Sequence, residues 1–141
     1  MKYVTTQESD AYFEYSIHYD DWDALTADEK ERALVTATRK IDAQRLIGEK
    51  YDPDQDLEFP RRYSKGYDEE VPQAVKDACC EEALALTKET SLAASGVTSV
   101  KAGDASESYS AEVLTNAQKF GLYPHARKLL QRWIKKSLDI R

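Results

Sequence analysis

The stretch 27-ADEKERALVTATRKIDAQRLIG-48 decides the fold. Ala33, Leu34, Ala37 and Ile41, then Arg45 or Leu46, recur at spacings of three and four, which lays one apolar stripe along a helix. Thr26 stands just ahead, and Glu29 follows three residues later. That pairing predicts a capping box, in which each side chain serves the other residue's backbone N–H. Gly48 is the natural stop. A helix with one apolar stripe must bury it against other elements, so the rest of the chain is read for partners.

Toward the C-terminus, 72-PQAVKDACCEEALALTKET-90 supplies one. Pro72 suits the first helical position, and Val75, Ala78 or Cys79, Ala83 and Leu86 form its face. In 125-HARKLLQRWIKKSLDIR-141, residues Ala126, Leu129, Leu130, Trp133, Ile134 and Leu138 again follow helical spacing. The opposite side is Lys and Arg. Toward the N-terminus, Thr5 with Glu8 repeats the capping box. A helix through 8-ESDAYFEYSI-17 would place Tyr12, Tyr15, Ser16 and Tyr19 on one face, flanked by Ala11 and Phe13. The segment 20-DDWDAL-25 reads as an acidic loop, with Trp22 a lid on the core.

Two segments do not read as helices. Glu49 to Glu70 has little periodicity, yet it holds Tyr51, Leu57, Phe59, Tyr63 and Tyr67. Loops this long are uncommon in compact domains, and so many large side chains predict that it is pinned to the bundle. In 97-VTSVKAGDASESYS-110, the Gly103-Asp104 turn signal between strand-like residues predicts a β-hairpin. The expectation is therefore one mainly α domain. It is a small bundle of about four helices, with core helices over about 5–95, a long ordered loop, a hairpin over about 97–110 and a basic C-terminal helix over about 124–138.

Composition narrows the function. The chain has 141 residues and a formal net charge of −6, which disfavours nonspecific binding to nucleic-acid phosphates. The charge is uneven. Nine acids face Lys2 and Lys30 within the first 31 residues, while Arg127, Lys128, Arg132, Lys135, Lys136 and Arg141 face Asp139 at the other end. An acidic body with a basic end suits self-association or an acidic partner. No apolar run approaches the roughly 18 residues that a spanning helix needs. The N-terminal segment lacks the apolar core of a signal peptide, so the chain is expected to stay where it is made. The neighbouring Cys79 and Cys80 read as small apolar helix residues in a reducing compartment.

Catalytic and metal chemistry finds no constellation. His18 and His125 are far from each other and from the cysteines in sequence. Asp52, Asp54, Asp56 and Glu58 alternate like a calcium loop, but without its central Gly and closing Glu. No phosphate loop, dinucleotide fingerprint, nucleophile elbow or zinc helix is present. No cofactor, metal site or catalytic residue is expected. The candidates are surfaces: Arg61 and Arg62 at the end of 52-DPDQDLEFPRR-62, anchored by Leu57, Phe59 and Pro60, and the basic helix with Arg127, Lys128, Arg132, Trp133, Lys135 and Lys136. The bases around Trp133 could hold a single strand or a protein partner.

The order of features has a precedent. The aromatic 11-AYFEY-15, Trp22, 33-ALVTATRKID-42, Gly48, 52-DPDQDLEFPR-61, 71-VPQAVKDACCEEAL-84 and 97-VTSVKAGDASESY-109 together resemble the head–tail connector, or adaptor, proteins of long-tailed bacteriophages. The same family is also catalogued as DnaT-like single-stranded-DNA-binding proteins. The resemblance spans about residues 3 to 110, with Phe59 where a tryptophan is expected. It implies a non-enzymatic virion protein of the head–tail neck, made in the host cytoplasm. Copies would form a homo-oligomeric ring, commonly of about twelve, on the portal protein. The ring would receive a stopper or tail-completion protein and pass double-stranded DNA without specific binding or any membrane contact. An acidic channel wall would let DNA slide. Arg61 and Arg62 would emerge from the pinned loop and pair with acids on the bundle or the next subunit. The alternative is a single-stranded-DNA-binding replication accessory.

Overall fold

The computed structural model describes residues 1–94 and 121–135. Its elements are α1 (Thr6–Phe13), α2 (Tyr19–Asp23), α3 (Ala27–Asp42), β1 (Glu49–Lys50), β2 (Arg61–Tyr63), β3 (Gly66–Tyr67), α4 (Gln73–Ala94) and α5 (Pro124–Leu130). The protein is mainly α, with five helices and one small antiparallel sheet among the described residues. The hairpin expected over 97–110 lies outside them, as does Lys136.

Both capping boxes form. Thr5 Oγ1 accepts from the Glu8 N–H while Glu8 accepts from the Thr5 N–H, and Thr26 and Glu29 do the same for α3. The α3 stripe is buried as the spacing requires, through Ala33, Leu34, Ala37 and Ile41. The helix nevertheless ends at Asp42, not Gly48. Leu46 is instead drawn into an antiparallel bridge with Ile134. Ile47 N–H donates to the Trp133 carbonyl at 2.8 Å, and Lys135 N–H to the Arg45 carbonyl at 2.8 Å.

That bridge also shortens the last helix. Its apolar spacing runs to Leu138, but α5 stops at Leu130, and 131–135 turns away to meet residues 45–47. Tertiary hydrogen bonds outweigh a weak local propensity here. At its other end, Pro124 occupies the first turn as expected of a proline there.

α4 is the central element and packs against both α3 and α5. Val75, Ala78, Cys79, Cys80, Ala83, Leu84 and Ala85 are all buried. Its small side chains let the flanking helices approach closely, and the free cysteines serve as apolar packing. Glu82 is buried too. It accepts from the Tyr123 N–H at 2.8 Å, with Lys40 Nζ 4.0 Å away, and so ties the start of α5 to α4.

α1 and α2 form an elbow over one end of α3. The expected aromatic face is overturned: α1 ends at Phe13, and Phe13 itself enters the core, its ring 4.8 Å from that of Trp22. Trp22 is buried as a lid, but on the short helix α2 rather than a loop. Its indole N–H donates to Asp10 at 3.0 Å. Tyr15 and Ile17 are left outside.

Candidate functional site

The segment 49–70 carries structure that its sequence does not announce. β2 pairs with β1 and β3, with Glu49 opposite Arg62, Lys50 opposite Arg61, and Arg62 opposite Tyr67. Directly opposed residues share a face of the sheet. Glu49, Arg62 and Tyr67 therefore line the outer face, while Arg61 and Tyr63 turn inward.

Arg61 is only 4% exposed. Its Nε donates to the Ile47 carbonyl at 2.7 Å and Nη2 to the Gly48 carbonyl at 2.7 Å. Nη1 reaches the Glu58 carboxylate at 2.8 Å and the Glu58 carbonyl at 3.2 Å. The expectation that Arg61 emerges to meet another surface is therefore corrected: its fork is spent closing its own loop. Gly48 fits because its φ is +78°, and a Cβ there would lie 2.4 Å from the Arg62 carbonyl oxygen.

Arg62 is exposed, as expected. It donates to the Tyr51 carbonyl and lies 5.5 Å from the centre of the Tyr51 ring. Tyr51 and Tyr67 pair with ring centres 5.3 Å apart, and both are exposed. Two aromatic rings and a guanidinium thus share the outer face.

The loop anchors act as predicted in part. Phe59 is buried and meets Tyr3 and Trp133 edge-on, with ring centres 6.1 and 5.7 Å away. Leu57 is half-buried against the core, and Pro60 follows Phe59 through a cis peptide bond. Gln55, unremarked in the sequence, holds the tip: its amide donates to the Leu57 and Pro60 carbonyls, both at 2.8 Å. The alternating acids are turn chemistry, since Asp52 accepts from the Asp54 N–H at 2.9 Å. Among the described residues, no three potential metal ligands come together.

The Tyr3 hydroxyl links the loop to α3. It donates to Asp42 and accepts from the Phe59 N–H at 3.1 Å. Burial, more than the neighbouring carboxylate, holds this phenol far above its ordinary value, and burial also raises Asp42.

On the basic segment, Arg127, Lys128, Arg132 and Lys135 are exposed. Trp133 is not a surface aromatic: it is 6% exposed and sealed against Phe59, with Arg132 stacked 5.0 Å above its ring. It therefore cannot stack on a base without leaving the core. His18 lies 3.9 Å from Asp21, and His125 is exposed, 3.7 Å from Glu81.

Of the most exposed apolar side chains, Tyr15 was expected on the face of the first helix and Ile17 was not singled out from sequence. Tyr15 is 92% exposed and Ile17 95%, both on the turn between α1 and α2. Glu14, Asp20, Asp21 and Asp23 surround them in sequence and are exposed. At the opposite end of α3 lies an open recess of about 410 Å³, walled by Met1, Thr38, Arg39, Asp42, Ala43, Asp56 and Leu57.

The described residues thus form a small helical bundle with a pinned loop and polar, aromatic and acidic surfaces. The family model described as "Putative DnaT-like ssDNA binding protein" matches residues 2–140, and the chain belongs to that family. No curated protein and no solved structure matches it. Among the described residues, no helix is long and apolar enough to cross a membrane.

Proposed function

We propose that this chain is a structural component of a bacteriophage particle, a head–tail connector that docks on a portal protein and receives the stopper or tail. The observation that carries the proposal is the elbow: Tyr15 and Ile17 stand in solvent within an acidic setting. Exposed apolar groups rimmed by charge mark a protein-contact surface. The acids disfavour the phosphate backbone. The order of sequence motifs shared with connector proteins supports the same reading. The loop locked by Arg61 supplies the rigidity that a particle part needs.

A second reading is favoured by the family description and by the outer face of the sheet. Tyr51, Tyr67 and Arg62 offer two rings and a guanidinium to which unpaired bases could stack. It makes the chain a single-stranded-DNA-binding accessory.

Quantitative mass spectrometry of purified particles separates the two. A copy number close to that of the portal protein is expected for a connector. Absence from particles, with oligonucleotide binding that weakens steeply with salt and is lost in Tyr51→Ala, would overturn that reading for the second.

A further inference from the structure

The outer face of the small sheet is assembled from three strands. The Tyr51 N–H donates to the Pro60 carbonyl at 3.0 Å, which carries the ladder one residue past β1. Tyr51 therefore lies two positions on from Glu49 and on the same side. The register adds Arg62 from β2 and Tyr67 from β3. The two tyrosine rings lie 5.3 Å apart, tilted by 44°. Tyr67 is 58% exposed and Tyr51 42%, so Tyr67 is the more open ring. Beneath them Arg61 and Gln55 lock the loop, so the rings stand on a fixed support.

The charge around this face has one sign. Glu49 lies on the face itself. Asp52 and Asp54 follow Tyr51 in the chain, and Glu69 and Glu70 follow Tyr67. All five are exposed, and none has a Lys or Arg nitrogen within 4 Å among the described residues. The bases nearby are mostly engaged. Arg61 is buried, Lys50 Nζ donates to the Gln55 carbonyl at 3.2 Å, and Arg62 donates to the Tyr51 carbonyl. A tyrosine ring also presents a partial negative charge on its face. Rings and carboxylates thus attract the same kind of group, a cation, and the carboxylates repel phosphate. The chain already shows the contact in miniature, with the Arg62 guanidinium 5.5 Å from the centre of the Tyr51 ring.

We propose that this face binds an arginine-rich segment of a partner protein. A guanidinium of that segment stacks on the open side of Tyr67 and pairs with Glu49, and its neighbours meet Asp52, Asp54, Glu69 and Glu70. Arginine fits better than lysine, because its planar fork both stacks on a ring and matches a carboxylate. This goes beyond the connector reading and does not depend on it. It competes with the base-stacking reading for the same two rings.

Fluorescence anisotropy with a short labelled peptide of alternating Arg and Gly tests it. Saturable binding is expected, weakening as salt rises, with weaker binding of the Lys–Gly counterpart. An acidic chain attracts any basic peptide, so the deciding variants leave the charge unchanged. Tyr67→Ala and Tyr51→Ala should each weaken binding about two- to fivefold, the range of an exposed cation–π contact. Tyr15→Ala, which removes another exposed ring among acids, should leave it as it was. Glu49→Gln keeps both rings and should also weaken it. All four positions are exposed, and circular dichroism checks that the variants fold. A peptide that does not bind overturns the inference, as does affinity unchanged in Tyr67→Ala or lost equally in Tyr15→Ala. Oligothymidylate that binds more tightly than the Arg peptide, and is lost in Tyr67→Ala, would overturn it in favour of single-stranded DNA. Self-association of the wild-type chain abolished by Tyr67→Ala would overturn it in favour of a second copy. Peptide binding by a chain absent from particles would leave this face standing and remove only the connector reading.

Discussion

The guanidinium of Arg61 and the carbonyl of Gly48 are bonded at 2.7 Å, across the root of the loop between them. The same fork holds the Ile47 carbonyl and Glu58. Arg61→Ala would leave these part-buried carbonyls without their donor, at up to about 1–3 kcal/mol for each group left unsatisfied. The expected loss is roughly 3 kcal/mol, read as a lower denaturant midpoint with an unchanged slope. Arg61→Lys should recover only part, because an ammonium cannot reproduce the planar fork. A loss under about 0.5 kcal/mol, the range of an ordinary surface substitution, would show that the fork does not hold the loop.

Trp133 joins the far end of the chain to that loop through Phe59, their rings 5.7 Å apart and edge-on. Trp133→Ala removes a buried indole and is expected to cost about 3–5 kcal/mol. Lys128→Ala, on the exposed side of α5, should change stability by no more than about 0.5 kcal/mol. Urea melts of the two variants check the contrast. Equal effects would mean that Trp133 is no part of the core.

What the sequence made legible was local. Thr26 and Glu29 lie three residues apart, so their reciprocal bonds depend on little else, and the Ala33–Ile41 stripe is a property of one helix. The misreadings share a different cause. Leu46 and Ile134 each continue a helical spacing, but they meet across 88 positions and end both helices. Phe13 was demoted, and Tyr15 promoted, by assuming that α1 runs on. Strands of two and three residues are too short to show alternation. Arg61 read as a surface residue because arginine usually is one. The carbonyls of Ile47, Gly48 and Glu58 that solvate it are brought together only by the fold. The elbow left no signal at all, since Tyr15 and Ile17 look like core residues until the helix stops short of them.

The capping boxes predict a matched pair of small effects. Thr5→Ala and Thr26→Ala should each cost about 1 kcal/mol. The Glu8 carboxyl is held below its ordinary value, chiefly by the hydrogen bond from the Thr5 N–H. A lowered folded value means that this contribution is present above about pH 4.5 and is lost as pH falls through the folded value. A Glu8→Ala penalty should accordingly shrink in acid, because it is the Glu8 carboxylate that holds the Thr5 N–H. A penalty that holds constant down to pH 3 would refute the box as its source.

The thiols predict the behaviour at high pH. Burial, the largest influence on both, pushes Cys79 up to about 11 and Cys80 further still. Thr38 Oγ1 lies 3.5 Å from the Cys79 sulfur, and the Leu34 carbonyl 3.7 Å. The folded chain therefore keeps protons that the unfolded chain releases near pH 9. Their contribution is complete below pH 9; that of Cys79 is lost as pH rises through about 11 and that of Cys80 at higher pH still. The phenols of buried Tyr3 and of half-buried Tyr12 and Tyr63, bonded to Asp42, Glu81 and Asp68, act in the same direction from about pH 10. Thermal melts from pH 8 to 11 should show falling stability, with the early part of the fall reduced in Cys79→Ala. At pH 8 a thiol-specific reagent should label the native chain far more slowly than the denatured one, because only the exposed thiolate reacts. Rapid native labelling would mean that α4 is open to solvent, and the core described above would have to be redrawn around it.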